Sequence, residues 1–190
     1  MKLIRYPDDP INFLKSLRTV RFFKREPVSQ EALDDILEVA RWSGGARNRQ
    51  LWKFLVVRDR GTLERLAALE GYAKHLAGAA VGIVLVMARN PAKFEQETFD
   101  EGRVAERISL AAASHGVEAA VGWFAGEGRA AAKRILGAPN ERLVRTALSL
   151  GHPAQSLPHG KSALPQGRKP LADLVYEEHY GDDSGLDRLR

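Results

Sequence analysis

The chain has 190 residues, of which 44% are hydrophobic and 28% are charged, and this composition suffices for one globular domain with a sizeable core. It contains no cysteine, which excludes disulfides, thiolate metal sites and cysteine nucleophiles and fits a reducing compartment such as the cytoplasm. The formal net charge is +5, but the basic residues are scattered among acidic ones without a recognised nucleic-acid-binding motif, so we expect no nucleic-acid partner.

Neither of two short apolar segments has the pattern of a targeting or membrane sequence. Residues 1–10 interrupt a short apolar run with charge and proline, unlike a signal peptide. Residues 79–88 form an apolar run that is too short to span a bilayer. We therefore expect no membrane partner.

The clearest predicted helix follows Ser29, a favourable N-cap residue. Its apolar positions repeat at helical spacing and include Leu33, Ile36 and Ala40, and the pair Gly44-Gly45 ends the pattern. Residues 52–57 then read as a strand with a continuous apolar run, which predicts burial on both of its faces.

The remaining chain predicts three more helices and three more strands. Residues 144–150 alternate apolar and polar side chains, which indicates a strand with one buried face. Residues 154–169 lack periodicity and suggest an extended arm, and the apolar character of 171–176 suggests that the arm docks on a partner subunit. The other elements are helices at 62–70, 98–115 and 128–136 and strands at 81–88 and about 117–124.

Three polar segments are candidate ligand contacts. The first basic cluster, residues 15–21, contains Arg18 and Arg21, which would share a face at a helix end and suit a phosphate. The second, residues 167–170, has the same character, although a solvated basic surface explains either cluster alone. Residues 40–52 combine paired glycines with Asn48 and Gln50, which predicts a loop whose backbone and amides contact a polar ring.

Taken in order, these segments resemble the nitroreductase family of FMN-dependent oxidoreductases from about residue 11 to residue 180. Residues 17–23 (LRTVRFF) are similar to the family's Arg-Arg-Ser-x-Arg-x-Phe element, and residues 43–52 (SGGARNRQLW) to its Ala-Pro-Ser-x-x-Asn-x-Gln-Pro-Trp element. Residues 150–153 (LGHP) look like its Gly-Tyr-Pro turn, and residues 168–171 (RKPL) like its terminal Arg-Lys-Pro-Leu. Each match is modest, but four in sequence identify the family.

The resemblance implies an α+β fold with a central, mostly antiparallel sheet flanked by helices, built as a single domain over 1–190 with a C-terminal arm at about 154–190. It also implies an intertwined homodimer with FMN at each of two subunit interfaces. The implied cofactor contacts fall into four groups. They are Arg18, Thr19 and Arg21 at the phosphate and ribityl end, Asn48 and Gln50 at the isoalloxazine, backbone near Gly122 and Trp123 at the ring, and Arg168 with Lys169 at the phosphate.

Three positions depart from the family's pattern. Leu17 stands where the first arginine of the pair is expected, Gly45 where serine is common, and Leu51 where proline precedes the tryptophan. These departures leave open whether FMN binding is weakened or the activity is redirected.

The activity that the resemblance implies is hydride transfer from NADH or NADPH to FMN, and then electron transfer to a nitroaromatic, quinone or similar acceptor, with ping-pong kinetics. Because the chemistry would take place at flavin N5, no catalytic side chain is assigned. The histidines lack metal-ligand spacing, so no metal is expected. Two alternatives stay open: a flavin- or ligand-binding protein of this fold without turnover, and a specialised flavin-dependent dehydrogenase or dehalogenase.

Overall fold

A computed structural model describes residues 9–154 and 168–181, which fall into two compact units. The first unit holds one antiparallel sheet, with strand order β1-β2-β4-β3. Its four strands are β1 (Trp52–Val57), β2 (Val81–Met87), β3 (Glu118–Trp123) and β4 (Leu143–Gly151). The predicted α+β fold with an antiparallel central sheet is confirmed.

Five α-helices accompany the sheet in the first unit. They are α1 (Pro10–Ser16), α2 (Gln30–Arg41), α3 (Arg60–Ala67), α4 (Phe94–Ser114) and α5 (Gly126–Leu136). Ser29 caps α2 as predicted, because its Oγ accepts a hydrogen bond from the Ala32 N–H at 3.1 Å. None of the described helices is long and apolar enough to cross a membrane.

Two apolar layers cover the two faces of the sheet. On one face, α2 and α4 pack against alternate residues of β2 and β4, such as Ile83 and Leu148. On the other face, α3 and α5 pack against the intervening residues, such as Val84 and Ala147. Strand β2 is therefore buried over its whole length, as its uninterrupted apolar sequence predicts.

Two burial predictions are wrong, and strand order is the reason. Strand β1 was expected to be buried on both faces, but it is an edge strand in which Lys53 and Val56 are exposed. Strand β4 was expected to have one buried face, but it lies between β2 and β3 and is buried from Thr146 to Gly151. Its polar alternate position, Ser149, is accommodated by a buried hydrogen bond to His75.

In the second unit the structure describes only residues 168–181. Residues Leu171–Asp173 form a short 3₁₀ turn, and the rings of Tyr176 and Tyr180 lie 4.7 Å apart. Most of the predicted arm, residues 155–167, lies outside the described residues. The single domain and the docking of the arm on a partner stay predictions.

Candidate functional site

The first basic cluster lies in an extended segment, because α1 ends at Ser16. Arg18 and Arg21 therefore do not share a helix face, contrary to the spacing argument. The Arg18 Nη1 donates to the carbonyl oxygens of Lys15 and Leu17, each at 2.7 Å, and holds the end of α1. Arg21 is exposed, and no described carboxylate lies within ion-pair distance of it.

Backbone hydrogen bonds fasten this segment to the outer edge of β3. The Val20 N–H donates to the Ala119 carbonyl at 3.1 Å, and Thr19 forms a parallel bridge with Ala119. Farther on, the Lys24 N–H donates to the carbonyl of His152, just after β4, at 2.8 Å. The two arginines are thus held beside the start of β3.

On the outer edge of β3, one residue without a backbone hydrogen bond to the described residues lies between two residues whose carbonyls accept one. The carbonyls of Ala119 and Trp123 both face outward, since they accept from Val20 and from Tyr72 (2.7 Å). Backbone groups alternate sides along a strand, so the N–H and C=O of Val121 also face outward. Within the described part of the chain no backbone partner meets them. Val121 therefore offers one donor and one acceptor at this edge.

Gly122, the next residue of β3, allows the backbone of residues 72–73 and the His75 side chain to approach the strand closely. A Cβ at this position would clash with the Tyr72 carbonyl oxygen and would lie 2.6 Å from His75 Nε2. The N–H and C=O of Gly122 belong to the ladder with β4, opposite Ala147. Gly122 thus leaves room for Tyr72 and His75 to pack against β3. The peptide groups that face outward and are open belong to Val121.

His75 supports β3 from the side of Gly122. Its Nδ1 lies 2.6 Å from Ser149 Oγ on β4, and its Nε2 is buried without a hydrogen-bond partner among the described residues. Burial lowers the pKa of His75, and the nearby Arg21 guanidinium lowers it further, whereas the Tyr72 carbonyl acts in the opposite direction. The imidazole is therefore neutral at pH 7.

The loop after α2 is strained where the amide side chains emerge. Arg47, Asn48 and Gln50 have φ values of 53°, 50° and 49°, in the left-handed region that side chains other than Gly and Asn rarely adopt. Asn48 and Gln50 are both exposed. The loop therefore presents its two amides to the outside, as the binding-loop prediction requires, at a cost in backbone energy.

The paired glycines position this loop against α4. A Cβ on Gly44 would lie within contact distance of the Arg103 guanidinium, and one on Gly45 would lie 3.1 Å from Asp100 Oδ2 and 3.2 Å from the Trp52 ring. A serine at position 45 would be tight there. Glycine at position 45 avoids these close contacts with Asp100 and Trp52.

The candidate residues form two groups at opposite edges of the sheet. Arg18, Thr19 and Arg21 adjoin β3, the strand of Gly122 and Trp123. Asn48 and Gln50 precede β1, at the other edge, and three strand spacings of about 4.8 Å separate the two edges by about 14 Å. The two groups therefore adjoin different edge strands of the sheet. Arg168 and Lys169 are exposed in the second unit.

Helix α4 carries a buried ion pair that the sequence reading missed. Glu101, with a side chain 3% exposed, pairs with Arg145 of β4, which is 16% exposed. The Glu101 Oε1 has no hydrogen-bond partner among the described residues. The signal was present in the sequence, because Glu97 and Glu101 continue the helical stripe of Val104 and Ile108 toward the N-terminus. In the described part of the chain, no three His, Asp or Glu side chains cluster to hold a metal.

Comparison with known proteins relates these features to one family. The model of the Nitroreductase family matches residues 14–73. A candidate NADH dehydrogenase/NAD(P)H nitroreductase of Archaeoglobus fulgidus is 29% identical over 150 residues, which cover 77% of this chain and 86% of the relative.

Solved structures extend the similarity over nearly the whole chain. A candidate nitroreductase of Desulfovibrio desulfuricans in complex with FMN is 30% identical with a TM-score of 0.72, and the match covers 92% of this chain and 99% of the other. An FMN-dependent nitroreductase of Clostridium difficile shares the fold at 23% identity, with a TM-score of 0.75 and coverage of 90% and 99%.

Proposed function

Because the chain belongs to the nitroreductase family, we propose that it is an FMN-dependent oxidoreductase that takes hydride from NADH or NADPH and reduces a nitroaromatic, quinone or similar small acceptor. The observation that carries the proposal is the attachment of the Arg18–Arg21 segment to β3 beside the open peptide groups of Val121. Cations for a phosphate and a hydrogen-bonding edge for a heteroaromatic ring thus lie on one strand edge.

The residues present fit FMN in charge and in hydrogen-bonding chemistry. Arg21 is exposed and unpaired among the described carboxylates, so its guanidinium is available to a phosphate. The outward N–H and C=O of Val121 match the donor and acceptor atoms of a flavin's pyrimidine edge. Thr19 and Arg18 would complete the phosphate end, and Trp123 would lie beside the ring.

We propose a homodimer in which each flavin contacts two chains. Asn48 and Gln50 precede β1, the edge strand opposite β3, and a second copy would meet their predicted contact with the isoalloxazine. Arg168 and Lys169 are proposed to close on the phosphate. Leu17 supplies no cation where the family has arginine, which leaves Arg18 and Arg21 as the cations of this segment.

The chemistry that bound FMN supplies is acceptance of hydride and its delivery, as electrons, to a second substrate in turn, which is a ping-pong scheme. The protein's part is to hold and tune the site. Arg21 stabilises negative charge near β3. Neutral His75, fixed by Ser149, keeps β3 in place without adding a second positive charge.

Flavin content and reduction test the proposal. Purified protein is expected to be yellow or to take up added FMN, and its flavin absorbance is expected to bleach when NADH or NADPH is added anaerobically. Absence of FMN uptake would refute the proposal. A yellow protein that neither dinucleotide bleaches would favour a binding protein or a specialised flavin enzyme.

Replacing Arg21 by alanine is expected to weaken FMN binding about ten- to hundredfold, because a charged hydrogen bond contributes about 1.5–3 kcal/mol. Arg168→Ala is expected to act in the same direction. Equilibrium dialysis against FMN measures the loss, and thermal unfolding without flavin should change little for Arg21→Ala. Arg65→Ala on α3 is the control that removes an exposed arginine elsewhere. Equal FMN affinity in Arg21→Ala and Arg65→Ala would rule out the phosphate role of Arg21.

A further inference from the structure

A cleft opens between α4 and the β3–β4 end of the sheet. It is a cleft of about 330 Å³, and its walls include Trp123, Val121 and Ala105. Trp123 and Val121 are 45% and 39% exposed, so apolar surface is available to a ligand. The volume lies at the lower end of small-molecule pockets, which suits a one- or two-ring compound rather than a dinucleotide.

The polar groups of this cleft carry one net positive charge. Arg129, Arg145 and Glu101 line it, so two guanidiniums face one carboxylate. The Glu101 charge is already paired with Arg145. Arg129 has no ion pair among the described residues, and its Nε donates to the Phe124 carbonyl at 3.0 Å, which anchors the guanidinium beside the cleft. Arg129 is therefore the positively charged group of the cleft that lacks a counter-charge among the described residues and can bind an anion.

We propose that this cleft binds aromatic carboxylates, with the ring against Trp123 and Val121 and the carboxylate on Arg129. Aromatic rings stack favourably on tryptophan, and a guanidinium binds a carboxylate through charge-assisted hydrogen bonds. Binding itself needs no flavin. Only the use of such compounds as electron acceptors, at a cleft that shares Trp123 with the flavin edge, rests on the proposed function.

Two compounds of nearly the same shape, one charged and one neutral, test whether the carboxylate of the ligand contributes to binding. Calorimetric titration of the full-length protein as purified, without a reductant, compares 4-nitrobenzoate with the uncharged 4-nitrobenzamide. The acid is expected to bind at least tenfold more tightly, and this preference should shrink as salt is added. Equal affinities for the two compounds would overturn the proposal.

Variants assign the preference to particular side chains. Arg129→Gln should remove the preference for the acid and leave the affinity for the amide nearly unchanged, and Arg129→Lys should keep part of the preference. Arg134→Gln, which removes an exposed charge from the same helix, should change neither affinity. Trp123→Leu should weaken both compounds. Loss of affinity for both compounds in Arg129→Gln, with no rescue by Arg129→Lys, would contradict the assigned contact.

The same samples separate this inference from the proposed function. Flavin content and anaerobic bleaching by NADH or NADPH are measured beside each titration. A preference for 4-nitrobenzoate in a protein that is not bleached upholds the cleft and refutes the reductase. Bleaching without that preference upholds the reductase and refutes the cleft.

Discussion

Replacing Glu101 by alanine is expected to lower the free energy of unfolding by about 3–5 kcal/mol, the usual cost of removing one partner of a buried ion pair. The substitution leaves Arg145, which is 16% exposed, without a counter-charge, and it opens a void beside α4. Urea denaturation followed by circular dichroism measures the change.

Two comparisons make this result specific to the ion pair. Glu106→Ala removes an exposed carboxylate from the same helix and should change stability by less than about 0.5 kcal/mol. The double variant Glu101→Leu/Arg145→Met replaces the pair with apolar side chains and should recover most of the loss. A double variant as unstable as Glu101→Ala would show that packing, and not the unpaired charge, causes the loss.

Gly122→Ala is expected to destabilise the protein by about 1–3 kcal/mol and to lower its flavin content. The new methyl group would clash with the Tyr72 carbonyl oxygen, a backbone atom, and would lie 2.6 Å from His75 Nε2, which Ser149 holds in place. Relief therefore requires a shift of β3 or of residues 72–75, and such overpacking typically costs this much.

The matched control for this variant is Gly78→Ala, because a Cβ at Gly78 would meet no atom within 4 Å. Thermal unfolding and flavin absorbance are measured on both variants. Normal stability and flavin content in Gly122→Ala would mean that His75 and residue 72 can move away freely, and that β3 is less constrained than its contacts indicate.

The sequence predicts the individual elements well because their signals are local. Ser29, the apolar spacing up to Ala40 and the following glycines fix α2 within a few residues. The apolar run at 81–88 identifies a strand that is covered on both faces. Helix α4 begins four residues before the predicted Thr98, because Glu95, Gln96 and Glu97 in its first turn are polar and leave no apolar periodicity.

Strand order is a nonlocal property, and the sequence predicts it poorly. The apolar run of β1 resembles that of a central strand, yet β1 lies at an edge, whereas the alternating β4 lies in the middle. The same limit applies to the site. The role of Val121 depends on which strand edge is open, and the contact between His75 and Ser149 joins residues 74 positions apart. Neither follows from spacing along the chain.

Arg21 and Asn48 adjoin opposite edge strands of the sheet, and this placement bears on subunit association. In the proposed homodimer, a flavin that contacts Arg21 of one chain and Asn48 of the other would couple cofactor binding to subunit association, so that each stabilises the other. Dilution of the purified protein is then expected to release FMN even though no residue has changed. Excess FMN should shift the dissociation of the subunits to lower protein concentration, which analytical ultracentrifugation with detection at the flavin absorbance would measure.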